Sequence, residues 1–232
     1  MCGRYTLSTP EQALDFLAPV LDESSVPPAL EARFNVAPTQ LMPIVANRTT
    51  RVVELARWGL VPTWAKDPSI GSRLINARAE SVAEKPAFRS AFERRRCLVP
   101  ADGYYEWKAE GKRKQPYYIH LEPRRPFAFA GLWDRWKAPD GDWQTSFTVI
   151  TCAPNEWIAQ LHDRMPVILA PADWERWLTR EPLPPEGLQD LLVATDPAGW
   201  VIEPVGAWVN KADHEGPACI EPPPAPTQGS LF

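Results

Sequence analysis

The chain has 232 residues, of which 44% are apolar and 23% are charged, and this is the composition of a soluble globular protein with one sizeable core. No run of about 18 apolar residues occurs, so we expect no membrane span, and the first residues lack the pattern of a secretory signal. The four scattered cysteines and three histidines argue against a zinc site and suit a reducing, cytoplasmic location.

The net charge of −4 argues mildly against nucleic acid as a partner, but the charge is unevenly distributed. The first 100 residues hold 13 Lys and Arg against 10 Asp and Glu, and the remainder hold 12 against 19. All but two of the basic residues in the first part are arginines, whose planar guanidinium can bind phosphate through two hydrogen bonds. The densest cluster is residues 89–96 (RSAFERRR). Taken alone, that cluster is better explained as a solvated helix face than as a DNA contact.

A helix is predicted to begin at Pro10, with Thr9 as its N-cap and Gln12 completing a capping box. Pro19 is expected to end it, because the residue before a proline is disfavoured in the helical region. The next predicted elements are strands over 41–46, 51–58 and 74–77, a helix over about 86–94 and a strand over 96–99.

The middle of the chain is rich in aromatic and β-branched residues and predicts an antiparallel meander. Its strands are predicted over 103–109, 115–121, 127–132 and 143–151, followed by helices over 155–161, 171–178 and 185–192. We therefore expect an α+β fold, a single domain over 1–215 with a curled, mainly antiparallel, barrel-like β-sheet flanked by helices. The proline-rich residues 216–232 predict a disordered tail.

Cys2 is the most informative residue. A small residue after Met1 favours removal of the initiator, which would leave Cys2 with a free α-amine and a thiol on adjacent carbons. Such a 1,2-aminothiol condenses with an aldehyde to an imine, and addition of the thiol closes a thiazolidine ring. The α-amine has an ordinary pKa of about 7.7–8.0, so part of it is nucleophilic near neutral pH. A cysteine at position 2 by accident is the alternative.

Three further side chains could assist such chemistry. Glu106 lies among aromatic residues, which favours a raised pKa and general acid–base work, although a surface carboxylate paired with Lys108 fits the pattern as well. His162 follows a predicted helix and is a candidate proton shuttle or a helix C-terminal histidine. Asn76 ends an apolar run and either binds a specific partner or caps a turn.

Six segments together resemble the SOS response-associated peptidase (SRAP) family over roughly residues 2–210. The segments are Met1-Cys2-Gly3-Arg4-Tyr5, Arg33-Phe34-Asn35-Val36-Ala37-Pro38, Trp58-Gly59-Leu60-Val61-Pro62, Ile75-Asn76-Ala77-Arg78-Ala79-Glu80, Cys97-Leu98-Val99-Pro100-Ala101-Asp102-Gly103-Tyr104-Tyr105-Glu106-Trp107 and His162-Asp163-Arg164-Met165-Pro166.

The resemblance implies a protein that binds abasic sites in single-stranded DNA and crosslinks to them. It implies Cys2 as the nucleophile, Asn76 as an orienting residue, and Glu106 and His162 as acid–base residues. It implies DNA contacts by Arg4, Arg78, Pro38, Trp64 and Thr151. Where the family has a pair of tryptophans, this chain has Trp64-Ala65. The family's late asparagine-containing motif is altered here around Asn210, so the resemblance assigns no role to that segment. No cofactor or metal is implied, and we expect a monomer associated with the nucleoid.

Two other functions compete with this interpretation. Cys2 is also compatible with an N-terminal-nucleophile cysteine peptidase or amidohydrolase, for which removal of Met1 would be one reaction. The chain is also compatible with a nucleic-acid-binding module without catalysis. Separately, Gln228-Gly229-Ser230-Leu231-Phe232 resembles the pentapeptide that binds the bacterial sliding clamp, with glycine where leucine is usual.

Overall fold

The computed structural model describes residues 2–22, 27–111, 113–181, 184 and 186–225. Its strands are β1 (Tyr5–Leu7), β2 (Arg33–Val36), β3 (Leu41–Ala46), β4 (Val53–Trp58), β5 (Asn76–Arg78), β6 (Arg96–Ala101), β7 (Gly103–Glu110), β8 (Arg113–Leu121), β9 (Phe127–Lys137), β10 (Trp143–Cys152), β11 (Met165–Pro166), β12 (Ile168–Leu169) and β13 (Trp200–Pro204). Its α-helices are α1 (Pro10–Leu17), α2 (Arg89–Arg94), α3 (Trp174–Trp177) and α4 (Glu186–Gln189).

Five of these strands close into a barrel. Antiparallel pairing runs from β4 through β3, β6 and β9 to β10. The parallel pairing of β10 with β4, which sets Ser146 opposite Arg57, closes the ring. Closure removes exposed sheet edges and encloses a continuous apolar core.

A second antiparallel sheet, in the order β13-β8-β7-β1-β2, packs against the barrel. Tyr5 of β1 contacts two barrel aromatics edge-on, Trp58 at 5.2 Å and Phe129 at 5.8 Å between ring centroids. This arrangement confirms the predicted α+β domain with a barrel-like, mainly antiparallel sheet and few helices.

Asp102 holds the amino-terminal segment against the corner between β6 and β7. Its carboxylate is 2% exposed and accepts hydrogen bonds from the hydroxyls of Thr6, Ser8 and Thr9. The next residue, Gly103, lies under the ring of Tyr118, where an added Cβ would lie 2.2 Å from a ring carbon. These contacts set the start of β7, the strand that carries Glu106.

The structure corrects several local predictions. The Thr9 hydroxyl bonds to Asp102 and does not cap α1. The helix predicted over 155–161 is only a 3-10 turn, Ile158–Gln160. The helices predicted over 86–94 and 185–192 are shorter, at Arg89–Arg94 and Glu186–Gln189. The range 171–178 is helical, but as a 3-10 turn, Pro171–Asp173, that runs into α3. Such short helices depend on tertiary packing more than on local propensity.

Packing also continues past the predicted start of the tail at residue 216. A 3-10 turn spans Pro217–Cys219, Cys219 is fully buried, and the Gly206 amide donates to the Glu221 carbonyl at 2.9 Å. Residues 226–232, with the predicted clamp-binding peptide, lie outside the described residues. No helix among the described residues is long and apolar enough to cross a bilayer.

Candidate functional site

Cys2 lies just before β1, in the interior of the protein. Pairing of Tyr5 with Tyr104, and a 3.0 Å hydrogen bond from the Tyr105 amide to the Arg4 carbonyl, hold its segment along β7. The Cys2 side chain is 0% exposed. Burial and then the nearby Glu106 carboxylate raise the pKa of the Cys2 thiol well above its ordinary value. The resting thiol is therefore neutral, unlike the thiolate of a typical cysteine protease.

Asn76 connects β5 to the amino-terminal segment. β5 pairs in parallel with β10, with Asn76 opposite Val149, and this pairing fixes the backbone. The Asn76 Nδ2 donates to the Cys2 carbonyl at 2.8 Å. Its Oδ1 is buried and has no hydrogen-bond partner among the described residues. An unpaired buried acceptor costs about 1–3 kcal/mol, so this oxygen has an unused capacity to accept a hydrogen bond.

Glu106 and His162, the two predicted acid–base residues, lie next to each other. Glu106 is 1% exposed, and its Oε2 lies 4.0 Å from the His162 Nε2. Burial raises the pKa of Glu106 to about 7, against the opposing effect of the positive amino terminus. Burial also lowers the pKa of His162. Near neutral pH the pair can therefore exchange a proton with a reacting group.

The His162 Nδ1 has two competing partners. It lies 2.7 Å from the Asp163 Oδ1, which requires a proton on Nδ1, and 3.1 Å from the Arg164 amide, which requires a lone pair there. The first arrangement leaves Nε2 as an acceptor toward Glu106, and the second makes Nε2 a donor. Switching between the two tautomers would allow His162 to give or take a proton at the same nitrogen.

Arg4 is fixed by neutral groups. Its Nη1 donates to the Asn35 Oδ1 at 2.7 Å and to the Val209 carbonyl at 2.9 Å. The guanidinium also lies over the Trp107 ring, 5.9 Å from the centroid. Because none of these partners is a carboxylate, its positive charge remains available to an anion.

Arg4, Glu106 and His162 line an open cleft with a volume of about 520 Å³, and Cys2 lies buried behind it. The lining residues are Gly3, Arg4, Glu106, Trp107, Lys114, His162 and Asn210. Sequence reasoning did not find Trp107, Lys114 or Asn210 as site residues. Trp107 donates to the Asn210 Oδ1 at 2.7 Å, so the altered late motif forms one wall of the cleft. The basic run around Lys114 in β8 was the signal that could have indicated a phosphate contact.

Two tyrosine hydroxyls lie beside the buried cysteine. Tyr5 and Tyr104 are opposite each other on β1 and β7, both are 0% exposed, and neither hydroxyl has a hydrogen-bond partner among the described residues. Burial, followed by the neighbouring Cys2, raises the pKa of both phenols. Both therefore stay protonated and can act only as neutral hydrogen-bonding groups.

The predicted DNA-contacting residues are in different environments. Arg78 is exposed on β5, two residues from Asn76, and Pro38 is half-buried in the loop before β3. Trp64 is 60% exposed, whereas the following Ala65 is buried and its carbonyl accepts a 2.7 Å hydrogen bond from Trp136. The loop therefore presents one tryptophan to solvent.

Thr151 is fully buried and we assign it no contact with DNA. Its carbonyl accepts a hydrogen bond from Arg164. Arg164 in turn forms two hydrogen bonds with Glu80, at 2.7 and 2.9 Å. Thr151 thus anchors the segment that carries His162.

A family model described as SOS response associated peptidase (SRAP) matches residues 1–212. The chain belongs to the SRAP family. It is 41% identical over 225 residues to the abasic site processing protein YoaM of Bacillus subtilis, covering 95% of this chain and 98% of that protein. It is 31% identical over 229 residues to YedK of Escherichia coli, also described as an abasic site processing protein, covering 96% and 100%.

A solved structure has the same fold. A crystal structure of a protein from Bacteroides thetaiotaomicron superposes with a TM-score of 0.83 and 27% identity, covering 95% of this chain and 99% of the other. The two-sheet arrangement that brings Cys2, Asn76, Glu106 and His162 together is thus part of an architecture that recurs in solved structures.

Proposed function

We propose that this protein recognises abasic sites in single-stranded DNA and captures them covalently through Cys2. The observation that carries the proposal is the position of Cys2 beside Asn76 and the Glu106–His162 pair, at a cleft with basic residues. The description of its SRAP relatives as abasic site processing proteins supports the same substrate.

The reaction begins with removal of Met1, which frees the Cys2 α-amine. An abasic deoxyribose in its open-chain form has an aldehyde at C1′. The amine attacks C1′, and Glu106 in its carboxylate form accepts the proton released from nitrogen. The resulting carbinolamine loses water, assisted by a proton from His162 or Glu106, and gives an imine.

The Cys2 thiol then closes the ring. The Sγ–C1′ bond forms, the thiol proton leaves sulfur through Glu106 or His162, and the imine nitrogen gains a proton. The product is a thiazolidine, and the net change is loss of one water from the aldehyde and the aminothiol. A neutral thiol suits this sequence, because the amine makes the first attack.

Asn76 and the arginines have supporting roles in this proposal. Asn76 orients the Cys2 backbone through its Nδ2, and its unpaired Oδ1 accepts from the amine or from a sugar hydroxyl. Arg4 and Arg78 bind the phosphates that flank the lesion, and Trp64 stacks on a neighbouring base. Such contacts do not depend on the base sequence, as expected for a lesion that can arise at any position in DNA.

Intact-mass measurement after incubation with an abasic oligonucleotide tests the function. We expect a protein starting at Cys2 to gain the mass of the DNA product minus one water. An oligonucleotide with an intact base should give no adduct. A protein that bound both strands equally and gained no mass would be a binding module without this chemistry.

A peptidase function is less well supported, because the buried Cys2 thiol has a raised pKa and a peptidase nucleophile needs a thiolate. Catalytic turnover of a small amide substrate without DNA would favour that alternative.

Arg78→Ala should weaken non-covalent binding to an abasic strand without removing the reacting groups. Loss of one phosphate contact should lower the slope of log affinity against log salt by about 0.7 on a single strand. Fluorescence anisotropy across a salt series measures this slope on a strand with a tetrahydrofuran analogue of the abasic site, which has no aldehyde and cannot be captured covalently. Arg176→Ala is the matched control, because Arg176 is exposed and paired with Asp190 at 2.7 Å on another part of the surface. An unchanged slope in the Arg78 variant would remove that residue from the DNA path.

A further inference from the structure

Four arginines from separate parts of the chain line a depression beside the barrel, near the end of β3 and the start of β6. Its volume is about 540 Å³. The lining residues, which we call the arginine pocket, are Asn47, Arg48, Thr49, Thr50, Arg94, Arg95, Trp133 and Arg180. Every lining side chain is basic, neutral polar or aromatic, so the pocket presents guanidinium and hydroxyl donors to a ligand.

One buried side chain connects the segments that form the arginine pocket. Asn47 is 4% exposed, and its Nδ2 donates to the carbonyls of Arg94 and Thr179, both at 3.1 Å. Its Oδ1 accepts from the Arg96 amide at 3.0 Å. The pocket is therefore a defined structure built by a buried asparagine rather than a chance meeting of surface side chains.

Neighbouring side chains already hold two arginines of the pocket in position without a ligand. The Arg48 guanidinium lies 4.0 Å from the Trp133 ring centroid and forms two hydrogen bonds with Glu54, at 2.6 and 2.9 Å. Arg95 lies 3.1 Å from Asp134. Side chains that are already ordered lose less conformational entropy when they bind a ligand.

The region carries excess positive charge. Arg96, directly after Arg95, is fully buried and donates to four backbone carbonyls, from residues 92, 93, 177 and 179. Exposed Arg180 has no carboxylate within salt-bridge distance among the residues that the structure describes. Arg94 is 60% exposed and, among the described residues, its guanidinium pairs only with the neighbouring Glu93, at 3.3 Å. Arg94 and Arg180 are thus the members of the pocket most available to an anion.

The arginine pocket borders the loop that presents Trp64. Asp134, the partner of Arg95, also accepts a 2.7 Å hydrogen bond from the hydroxyl of Thr63. One buried carboxylate therefore joins the pocket to the residue before Trp64.

We infer that the arginine pocket binds backbone phosphates of the same DNA strand beyond Trp64, as a second DNA-binding site outside the reactive cleft. This inference rests on the proposed function. Guanidinium groups and threonine hydroxyls match phosphate oxygens, and the pocket offers no base-edge recognition, so the contact is independent of sequence. This contact would lengthen the stretch of DNA that the protein covers, and it would leave the reaction at the abasic site unchanged.

The double variant Arg94→Ala/Arg180→Ala tests the inference with two abasic oligonucleotides, one of about 5 nucleotides and one of about 25. For the affinities, the same two strands carry a tetrahydrofuran analogue of the abasic site, which has no aldehyde and binds reversibly. Anisotropy across a salt series should show that the variant binds the long strand roughly tenfold more weakly at low salt. The salt slope should also fall by about 0.7 to 1.4, for one or two lost phosphate contacts. Affinity for the short strand and the yield of crosslink to it should match the wild type.

Arg176→Ala removes one positive charge from an exposed site paired with Asp190, and it should leave both affinities near those of the wild type. Equal long-strand affinity in the wild type and the double variant would overturn the inference. Loss of inorganic phosphate binding alone, with long-strand affinity unchanged, would also overturn it. Failure of the wild type to crosslink the short strand would count against the proposed function instead, so the two failures are distinguishable.

Discussion

Cys2→Ala is expected to reduce stable crosslinking of abasic single-stranded DNA to the level seen without protein. Alanine and serine at position 2 both allow removal of Met1, so Cys2→Ala and Cys2→Ser keep the α-amine and lose only the thiol. Both variants should form an imine that cannot close to a thiazolidine. Their adduct should survive a denaturing gel only after reduction with borohydride, whereas the wild-type adduct should survive without it.

A second variant addresses the amine. An uncleaved residue in front of Cys2 keeps the thiol and converts the α-amine to an amide, so stable and borohydride-trapped adducts should both disappear. Cys219→Ser is the control for loss of a buried thiol elsewhere, because Cys219 packs in a separate cluster with Tyr105 and Val209. Undiminished crosslinking by Cys2→Ala, or by the extended protein, would show that the nucleophile is another residue.

Glu106→Gln is expected to slow crosslinking by roughly 100-fold or more, the usual effect of losing a general acid–base group. Glutamine keeps the size of the side chain but cannot accept a proton. The wild-type rate should depend on pH with a transition near 7, where the Glu106 carboxyl titrates. Quenched time courses from pH 5 to 9 should lose that transition in the variant, and a variant that keeps it would assign the transition to another group.

The same substitution should stabilise the protein at high pH. The pKa of Glu106 is raised from 4.5 to about 7, so the native state holds a proton that the unfolded state has released between these values. The free energy of unfolding therefore falls as pH rises from about 4.5 to 7, by an amount on the order of 3 kcal/mol for this group. Denaturant titrations should find Glu106→Gln more stable than the wild type at pH 8, with little difference near pH 4.5.

Glu106→Asp is the matched control, because it keeps the charge and shortens the side chain. It should retain part of the pH dependence of both rate and stability. A glutamine variant that was less stable than the wild type at pH 8 would show that ionised Glu106 stabilises the fold. In that case the raised pKa would be the wrong physical picture of the site.

Local sequence patterns predicted the long strands of both sheets well, because these segments are rich in β-branched and aromatic residues. β7 was predicted over 103–109 and spans Gly103–Glu110, and β10 was predicted over 143–151 and spans Trp143–Cys152. β1, β2 and β13 were missed. Each has only three to five residues, and each depends on pairing with a partner distant in sequence.

The helices were predicted too long for a related reason. The residues between Asn155 and Leu161 have a helical composition, but the chain there makes only a 3-10 turn whose first amide is bound by the Asn155 side chain at 2.9 Å. Thr9 shows the same effect, because a buried carboxylate 93 residues away binds its hydroxyl in place of the helix. Tertiary hydrogen bonds outweighed local propensity at both places.

The sequence by itself determined the family, the α+β class and the candidate chemistry, because the identity and order of Cys2, Asn76, Glu106 and His162 are visible in the chain. Only the tertiary structure decided how these groups act. Burial between two sheets keeps the Cys2 thiol neutral, which residue types did not indicate. The aromatic neighbours of Glu106 favoured a raised pKa, but a surface carboxylate fitted the sequence as well, and only its burial in the fold decided between the two. The arginine pocket likewise exists only after folding, because Asn47 joins turns that are up to 132 residues apart along the chain.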